Sequence, residues 1–387
     1  MRLSRRPVRV CFVIDRLSRA GTETQLVALL NQLDRSVVEP SLCLLNGDDG
    51  ESRSLLPSSC PVLHLALKHL TSPAAVSAAS KLASFWRTHR TEIVQTYFLD
   101  STYFAAPLAR LMGIRHVVRV RNNSGYWLTR KHRLLGRLVG RLGSTLTNSE
   151  IARQAIQEAE GLRYEDISVI ENGVALERFP LTSPPRTVRA DARIGAVANL
   201  RPVKNIDGLI RAAKLLTADY PDLQFAVAGE GDERPFLETQ IQKAGLTGRF
   251  QLIGMVQDIP EFLSKLDIAV LCSHSESMSN ALLEYMAAGR AIVGTDVGVN
   301  AKLARHEREG LIVPANNDRA LVEAIRRYLN EPKLAETLGS AARLRAATNY
   351  SREAMVRRFE SFFTQLVECK GPRHRRGPVK QHAFLDS

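Results

Sequence analysis

Short apolar runs alternate along almost the whole chain with segments in which apolar residues recur every three or four positions. Such runs are typical of buried strands, and the longer spacing is typical of helices with one apolar face. The pattern predicts a first series of strands at Val8–Ile14, Ser41–Leu45, Val62–Leu65, Ile93–Thr96, His116–Arg121, Thr145–Asn148 and Ile167–Ile170. It predicts a second series at Arg193–Ala198, Gln224–Ala228, Phe250–Ile253, Asp267–Leu271, Ala291–Thr295 and Leu311–Val313.

Amphipathic segments lie between most of these strands, for example Thr22–Leu33 and Arg319–Leu329. Regular alternation of strands and helices predicts an α/β protein with parallel sheets joined by right-handed crossovers. We therefore expect two Rossmann-like domains that face a central cleft. In such sheets a ligand binds at the carboxyl ends of the strands.

A polar, proline-rich stretch, Phe179–Arg186, separates the two series of strands and predicts a linker. The predicted domains are an N-terminal one over residues 1–185 and a C-terminal one over residues 186–350. An amphipathic segment predicts a C-terminal helix within residues 351–369. The remaining tail, residues 370–387, is basic with little apolar content, and we expect it to be disordered.

The composition is that of an ordinary globular protein, with 387 residues, 44% of them hydrophobic and 24% charged. The five cysteines include no Cys-x-x-Cys pair, which argues against a zinc site and favours a reducing compartment. No apolar run approaches the roughly 18 residues of a membrane-spanning helix. We expect a cytoplasmic protein, either soluble or peripheral on a membrane.

The net charge of +13 allows three kinds of partner, namely a polyanion, a membrane surface or an anionic substrate. The charge is unevenly distributed, because residues 101–149 contain no Asp or Glu. The same segment holds nine of the basic side chains: Arg110, Arg115, Arg119, Arg121, Arg130, Lys131, Arg133, Arg137 and Arg141. We therefore expect a positive face on the first domain, to which Arg115, Arg119 and Arg121 contribute.

The stretch from Ser275 to Arg290, SESMSNALLEYMAAGR, carries two glutamates among small and apolar residues. Glu276 lies in the predicted loop after the strand Asp267–Leu271. A helix is expected to follow, with Ser279 as its N-cap, Asn280 as its first residue and Gly289 at its end. Its free backbone N–H groups would attract a phosphate between the two carboxylates. This arrangement is suited to a sugar, a diphosphate and a ribose.

The chain resembles the family-4 glycosyltransferases, which are retaining enzymes of GT-B fold. The resemblance covers nearly the whole chain. It rests on the Glu-x7-Glu spacing of Glu276 and Glu284 and on the segments AGTETQL, NSE at 148–150, ENGVALERF, NLRPVKN, AGEGDER and the tract from LCSHSES to TDVG.

The resemblance implies that Glu276 contacts the donor sugar and that Glu284 binds the ribose diol. It assigns Lys204 and Arg201 to the diphosphate, where a guanidinium and an ammonium are both suited to phosphate oxygens. The family often has an arginine five positions before the lysine. This chain has Asn199 there, which we expect among the donor-binding residues, and Arg201 would substitute for the family arginine.

Two further positions concern the first domain. Gly21, in the first strand-helix loop, permits close approach of the backbone to a donor. The family often has a histidine after the strand that corresponds to His116–Arg121, and this chain has Asn122 and Asn123 instead. Either asparagine could donate hydrogen bonds in its place.

The resemblance predicts a retaining hexosyltransferase that uses a nucleotide-sugar donor without a metal or other cofactor. The first domain would hold the acceptor, the second the donor, and the C-terminal helix would return to brace the first domain. The expected setting is the assembly of cell-surface polysaccharide or glycolipid. One alternative is a nucleotide-sugar epimerase of the same fold. Another is a nucleic-acid-binding protein, which the charge alone suggests.

The basic segment Thr129–Leu142 predicts a helix with an apolar side and an arginine row on another side. The apolar side consists of Leu134, Leu135, Leu138, Val139 and Leu142, and the row consists of Arg130, Arg133, Arg137 and Arg141. A basic amphipathic helix is typical of proteins that lie on an anionic membrane. We expect the leucines to pack inward and the arginines to meet lipid headgroups, near a lipid-linked or other saccharide acceptor. The alternative is that the arginines are only solvated.

Overall fold

The computed structural model describes residues 6–46, 50–58, 60–122, 129–179 and 191–368. These form two compact units. One contains the residues up to Glu171 together with those from Glu353 onward, and the other contains Asn172–Arg352. The predicted boundary between residues 185 and 186 and the predicted tail lie outside the described residues, as does the predicted linker from residue 180.

The first unit is built on a parallel sheet of seven strands in the order β3-β2-β1-β4-β5-β6-β7. Its strands are β1 (Val8–Ile14), β2 (Val38–Leu44), β3 (Val62–His64), β4 (Ile93–Tyr97), β5 (His116–Val120), β6 (Ser144–Thr147) and β7 (Ile167–Val169). Its helices are α1 (Gly21–Gln32), α2 (Gly50–Ser54), α3 (Ala74–Thr88), α4 (Leu99–Leu111), α5 (Arg130–Gly140) and α6 (Glu150–Glu160).

The second unit has a parallel sheet of six strands in the order β10-β9-β8-β11-β12-β13. The strands are β8 (Arg193–Val197), β9 (Gln224–Ala228), β10 (Phe250–Gly254), β11 (Ile268–Leu271), β12 (Ala291–Thr295) and β13 (Leu311–Val313). The helices are α7 (Ile206–Asp219), α8 (Arg234–Lys243), α9 (Ile259–Ser264), α10 (Asn280–Ala287), α11 (Asn300–Leu303), α12 (Asp318–Asn330) and α13 (Pro332–Asn349).

The last helix, α14 (Arg352–Glu368), packs on the core of the first unit. Its aromatic side chains Phe359, Phe362 and Phe363 are buried with those of β1 and β2. The ring of Phe363 contacts that of Phe12 edge-on, with 5.9 Å between the ring centroids. The 17-residue helix α14 therefore packs the end of the described chain against its first strand.

Most strand residues of both sheets are buried, as expected for parallel strands covered on both faces. The two parallel sheets, with helices between their strands, confirm the predicted α/β fold class. None of the described helices is both long and apolar enough to cross a membrane.

Candidate functional site

The loop between β11 and α10 carries the first of the two predicted glutamates and ends at a capped helix. Ser279 is the N-cap of α10, and its hydroxyl accepts a hydrogen bond of 3.3 Å from the backbone N–H of Leu282. Gly289 follows the helix with φ +63°. These features confirm the predicted start and end of the helix. Its first backbone N–H groups carry the partial positive charge that attracts anions.

The same loop is fixed by contacts to neighbouring segments of the unit. An added Cβ on Gly298 would lie 2.4 Å from the backbone oxygen of Glu276, so only glycine fits this contact. The side chain of Asn172 donates a hydrogen bond of 2.8 Å to Oδ1 of Asn280, at the first position of α10. The position of Glu276 relative to the helix start is therefore well defined.

The Glu276 carboxylate is held by two groups from the ends of neighbouring strands. Lys204 Nζ lies 2.6 Å from Oε1 of Glu276, and the Ser273 hydroxyl donates a 2.7 Å hydrogen bond to the same oxygen. The Glu276 side chain is only 10% exposed, and that of Lys204 is 24% exposed. A carboxylate and an ammonium are thus brought together at a partly buried position near the start of α10.

Lys204 lies in the loop between β8 and α7, at the end of a 3₁₀ turn, Pro202–Lys204. The next residue, Asn205, caps α7 by accepting from the backbone of Gly208 and donates to the carbonyl of Cys272. The backbone N–H of His274 donates to the carbonyl of Val203 at 2.8 Å. These bonds join the loops that follow β8 and β11, which are adjacent strands.

The other two residues predicted near the diphosphate, Arg201 and Asn199, lie at the start of the same loop and are exposed. With the described residues, the Arg201 side chain forms neither a hydrogen bond nor an ion pair. Its guanidinium is therefore accessible to an anion at this edge of the sheet, whereas Lys204 is already paired.

The turn between β9 and α8 lies in close contact with the loop between β8 and α7. An added Cβ on Gly229, which has φ +141°, would lie 2.0 Å from the carbonyl oxygen of Ala198. An added Cβ on Gly231 would lie 2.3 Å from that of Leu200. The sequence Gly229-Glu230-Gly231 matches only the first half of a dinucleotide-binding motif. Here it packs against the loop that carries Arg201.

Glu284 lies one turn into α10 and is half-buried. Burial raises the pKa of its carboxyl from the ordinary 4.5 to about 7, while the charges of Arg178 and Arg352 oppose the rise. Among the described residues no side chain forms a hydrogen bond with this carboxyl. A carboxylate in this setting is suited to accept hydrogen bonds from hydroxyl groups of a ligand.

The remaining predicted site residues belong to the first unit. Gly21 is exposed at the first position of α1, and Asn122 is half-buried just after β5. Asn123 lies outside the described residues. Arg133, Arg137 and Arg141 are all exposed on or just after α5, as predicted.

Two expectations about α5 and its surroundings are wrong. Leu134 and Leu138 point outward, with 60% and 52% of their surface exposed. Arg119 and Arg121 do not add to a positive surface, because both are buried in ion pairs with Glu160. Glu160 lies about forty positions away in sequence, so the acid-free stretch gave no sign of this pairing.

Several supporting residues had not been singled out from the sequence. Ser273, Asn172 and Gly298 position Glu276 and the start of α10. Each lies in a segment that carries the family resemblance, but no periodic pattern indicated its role. Within the part of the chain that the structure describes, no three His, Cys, Asp or Glu side chains form a group that could hold a metal ion.

Comparison with known protein families gives two matches that follow each other along the chain. Residues 19–178 match the model described as Glycosyltransferase Family 4, and residues 186–345 match the model described as Glycosyl transferases group 1. The two matches together leave only short segments of the chain uncovered.

Two curated relatives show how far this similarity extends. The chain is 34% identical to the α-D-kanosaminyltransferase of Streptomyces kanamyceticus over 161 residues, which are 41% of this chain and 42% of the relative. It is 26% identical to the lipopolysaccharide core mannosyltransferase LpcC of Rhizobium leguminosarum over 247 residues, 62% of this chain and 67% of the relative. The first curated relatives are matched over 23% to 64% of their own length.

Among solved structures, that of Anabaena HepE in complex with UDP and glucose is similar, with a TM-score of 0.80 and 17% sequence identity. The match covers 92% of this chain and all of HepE. At this identity the similarity concerns the fold, which is of the GT-B type.

Proposed function

The chain belongs to the group 1 glycosyltransferase family, and on that premise we propose that it transfers a hexose from a nucleotide-diphosphate sugar to an acceptor with retention of anomeric configuration. The second unit would bind the donor, and the first unit would bind the acceptor. The complex of HepE with UDP and glucose supports a uridine-containing donor as the first class to test.

The observation that carries the proposal is the ion pair of Lys204 and Glu276 beside the start of α10. It places a cation, a carboxylate and a helix N-terminus around one position at the carboxyl edge of the sheet. The helix and Lys204 are suited to the diphosphate, and the carboxylate is suited to the sugar hydroxyls. Exposed Arg201 would add a second cation to the diphosphate when the donor binds.

The reaction would break the bond between the anomeric carbon and the diphosphate oxygen. The acceptor hydroxyl oxygen would bond to the same face of the anomeric carbon, and its proton would pass to the departing diphosphate. Lys204, Arg201 and the N-terminus of α10 would stabilise the negative charge that develops on the leaving group. Fixed donors directed at developing charge commonly make the largest contribution to catalysis.

Glu284 would accept hydrogen bonds from the ribose hydroxyls in this arrangement. Its position one turn into α10 separates it from the diphosphate site at the helix start. We propose that no metal is needed, because helix N–H groups and side-chain cations would carry out the charge neutralisation that a metal performs elsewhere.

We extend the proposal to the assembly of cell-surface polysaccharide or glycolipid, with a saccharide or lipid-linked acceptor. The similarity to a lipopolysaccharide core mannosyltransferase supports this setting. We also propose a cytoplasmic location. All four described cysteines, Cys11, Cys43, Cys60 and Cys272, are free thiols, as is usual in reducing compartments.

The purified protein should be tested for nucleotide release with a panel of UDP- and GDP-sugars, with and without candidate acceptors. Release that depends on both donor and acceptor, with a product of the donor's anomeric configuration by NMR, is the expected result. An isomeric nucleotide-sugar formed without nucleotide release would instead identify an epimerase. Loss of turnover on metal chelation would contradict the metal-free proposal.

A further inference from the structure

The surface of α5 that faces away from the domain carries both basic and apolar side chains. Six exposed residues recur at intervals of three and one along the helix, which places them on one face. We call this the α5 outer face: Arg130, Arg133, Leu134, Arg137, Leu138 and Arg141.

We infer that the α5 outer face docks on an anionic lipid surface, with its arginines among the headgroups and its two leucines inserted between them. Leu134 and Leu138 are among the large apolar side chains most exposed in the described chain. A helix with apolar and basic side chains on one exposed face is suited to the membrane interface, where both kinds of group find partners.

The packing of α5 explains why the two leucines cannot simply turn inward. Its inner side is formed by Gly136, Val139 and Gly140, all of which are buried. An added Cβ on Gly136 would lie 2.8 Å from Oε1 of Glu160, and one on Gly140 would lie 2.9 Å from Leu162. The glycines thus allow the helix to pack against α6, and they leave no room for a larger side chain.

A buried ion cluster fixes the orientation of the helix further. Arg119 Nη1 donates a hydrogen bond of 3.0 Å to the carbonyl of Gly136, in the middle of α5. The same guanidinium is 2.6 Å from Glu160, which is also paired with Arg121. Rotation of α5 to bury its leucines would break these contacts, so the α5 outer face is a fixed surface.

The charge of the face selects a negatively charged partner. Arg130, Arg133 and Arg137 have no acidic partner among the described residues, and the sequence has no Asp or Glu from residue 101 to 149. A second copy of the chain on this face would place arginines against arginines, which is unfavourable. The face presents leucines rather than aromatic rings, which disfavours the aromatic base stacking that proteins use to bind single-stranded nucleic acid.

This inference does not rest on the proposed sugar transfer, because its test measures binding to lipid alone. The probe is a set of vesicles of phosphatidylcholine with or without phosphatidylglycerol, and the readout is co-sedimentation of the full chain. We expect binding to the phosphatidylglycerol vesicles at low salt, a decrease as salt rises, and little binding to pure phosphatidylcholine.

Two variants separate the electrostatic and apolar contributions. R133Q/R137Q/R141Q should lower the partition coefficient at low salt by roughly a hundredfold, because each basic side chain near such a surface contributes roughly a fivefold factor. L134S/L138S should lower it by roughly tenfold or more, and this loss should persist at higher salt, because apolar insertion is not screened.

Matched controls come from exposed positions of the second unit. K214Q/K243Q/R319Q lowers the net charge of +13 by three, as R133Q/R137Q/R141Q does, but at exposed positions elsewhere. L215S/L344S likewise removes two exposed leucines elsewhere. Both controls should bind vesicles within about twofold of the wild type, as an order-of-magnitude limit for surface sites remote from the contact. An equal loss in the charge control would mean that net charge alone causes binding, and the inference would be overturned.

A direct measure of insertion uses a tryptophan in place of one leucine. The fluorescence of L134W should shift to shorter wavelength on phosphatidylglycerol vesicles, while that of L344W should not. Absence of wild-type binding at low salt, or equal binding by the arginine variant, would refute the inference. Nucleic-acid binding that the arginine variant loses, together with unchanged vesicle binding, would identify a nucleic-acid surface instead.

Discussion

Lys204 Nζ lies 2.6 Å from Oε1 of Glu276, across the ends of two adjacent strands of the second unit. The ammonium predicted to bind the diphosphate and the carboxylate predicted to contact the sugar therefore neutralise each other. Replacement of one leaves the charge of the other without its partner, in a partly buried place. The two positions should nevertheless respond differently, because one would bind the leaving group and the other the sugar.

Glu276→Gln should reduce kcat by roughly a hundredfold while the Kd of the nucleoside diphosphate changes by less than about fivefold. The substitution preserves shape but removes a negative charge near a sugar that becomes cationic in the transition state. Steady-state kinetics and calorimetry would measure the two effects separately. Near-normal turnover in a folded variant would remove Glu276 from the proposed role.

Lys204→Ala should weaken nucleoside diphosphate binding by roughly ten- to a hundredfold, since a hydrogen bond to a charged group contributes about 1.5–3 kcal/mol. Binding of the nucleoside alone should be nearly unchanged. Lys214→Ala, at an exposed position on α7, provides the control and should leave both affinities unaltered. Equal losses for nucleoside and diphosphate in the Lys204 variant would place the lysine elsewhere.

The raised pKa of Glu284 predicts a pH dependence of stability. The native protein holds the proton from about pH 4.5 to 7, whereas the unfolded chain releases it, so this carboxyl lowers the free energy of unfolding as pH rises through that range. Glu284→Gln should therefore stabilise the protein relative to the wild type more at pH 8 than at pH 4.5. We expect a difference of about 1–2 kcal/mol, which is discounted because the side chain is partly exposed.

Urea unfolding of both proteins at the two pH values would measure this difference. The same ionisation predicts that wild-type affinity for a nucleotide-sugar increases as pH rises through 7, because the carboxylate accepts hydrogen bonds from the ribose. The affinity of the Gln variant should be lower and independent of pH in this range. A parallel pH dependence in both proteins would exclude Glu284 as its origin.

The hydrophobic pattern predicted most strands because their side chains are buried on both faces and leave continuous apolar runs. The clearest difference is at β2, which begins at Val38 rather than at the predicted Ser41 because it continues through Pro40. Pro40 pairs with Val10 of β1, while β3 contacts only Leu42–Leu44. A proline is tolerated where a strand has a neighbour on one side only.

Local rules also placed part of the candidate site correctly. Capping preferences correctly placed the start of α10 at Ser279 and Asn280 and its end at Gly289, because a helix cap depends on only a few adjacent residues. Arg119 and Gly136 instead contact Glu160, which lies at the end of the next helix, α6. Neither hydropathy nor local charge reveals such a contact, so Leu134 and Leu138 were assigned to the wrong side of α5. The ligand-binding roles of the glutamates and Lys204 stay predictions.

Gly231→Ala should destabilise the second unit by about 1–3 kcal/mol, which is typical of overpacking. Its Cβ would lie 2.3 Å from a backbone oxygen of Leu200, and a backbone atom cannot move aside as a flexible side chain can. Donor affinity should fall as well, because the displaced loop carries Arg201. Gly50→Ala, where an added Cβ meets nothing within 4 Å, should be close to neutral in thermal unfolding.

The buried ion cluster beneath α5 predicts that the Glu160 carboxylate contributes more to stability than the exposed carboxylates of α6 do. Glu160 is 3% exposed and is paired with both Arg119 and Arg121. Burial lowers the pKa of the Arg121 guanidinium, and the charge of Glu160 opposes this effect. Glu160→Gln would leave two buried guanidinium groups without a counter-charge, at a cost of roughly 3–5 kcal/mol.

Glu158→Gln is the matched control, since Glu158 is exposed on the same helix and accepts a hydrogen bond from Gln154. Its effect on the free energy of unfolding should stay within about 0.5 kcal/mol. Hydrogen exchange should show faster exchange of the α5 amides in the Glu160 variant but not in the control, because Arg119 anchors α5 through the Gly136 carbonyl. Equal stability of the two variants would show that the cluster does not hold α5 in place.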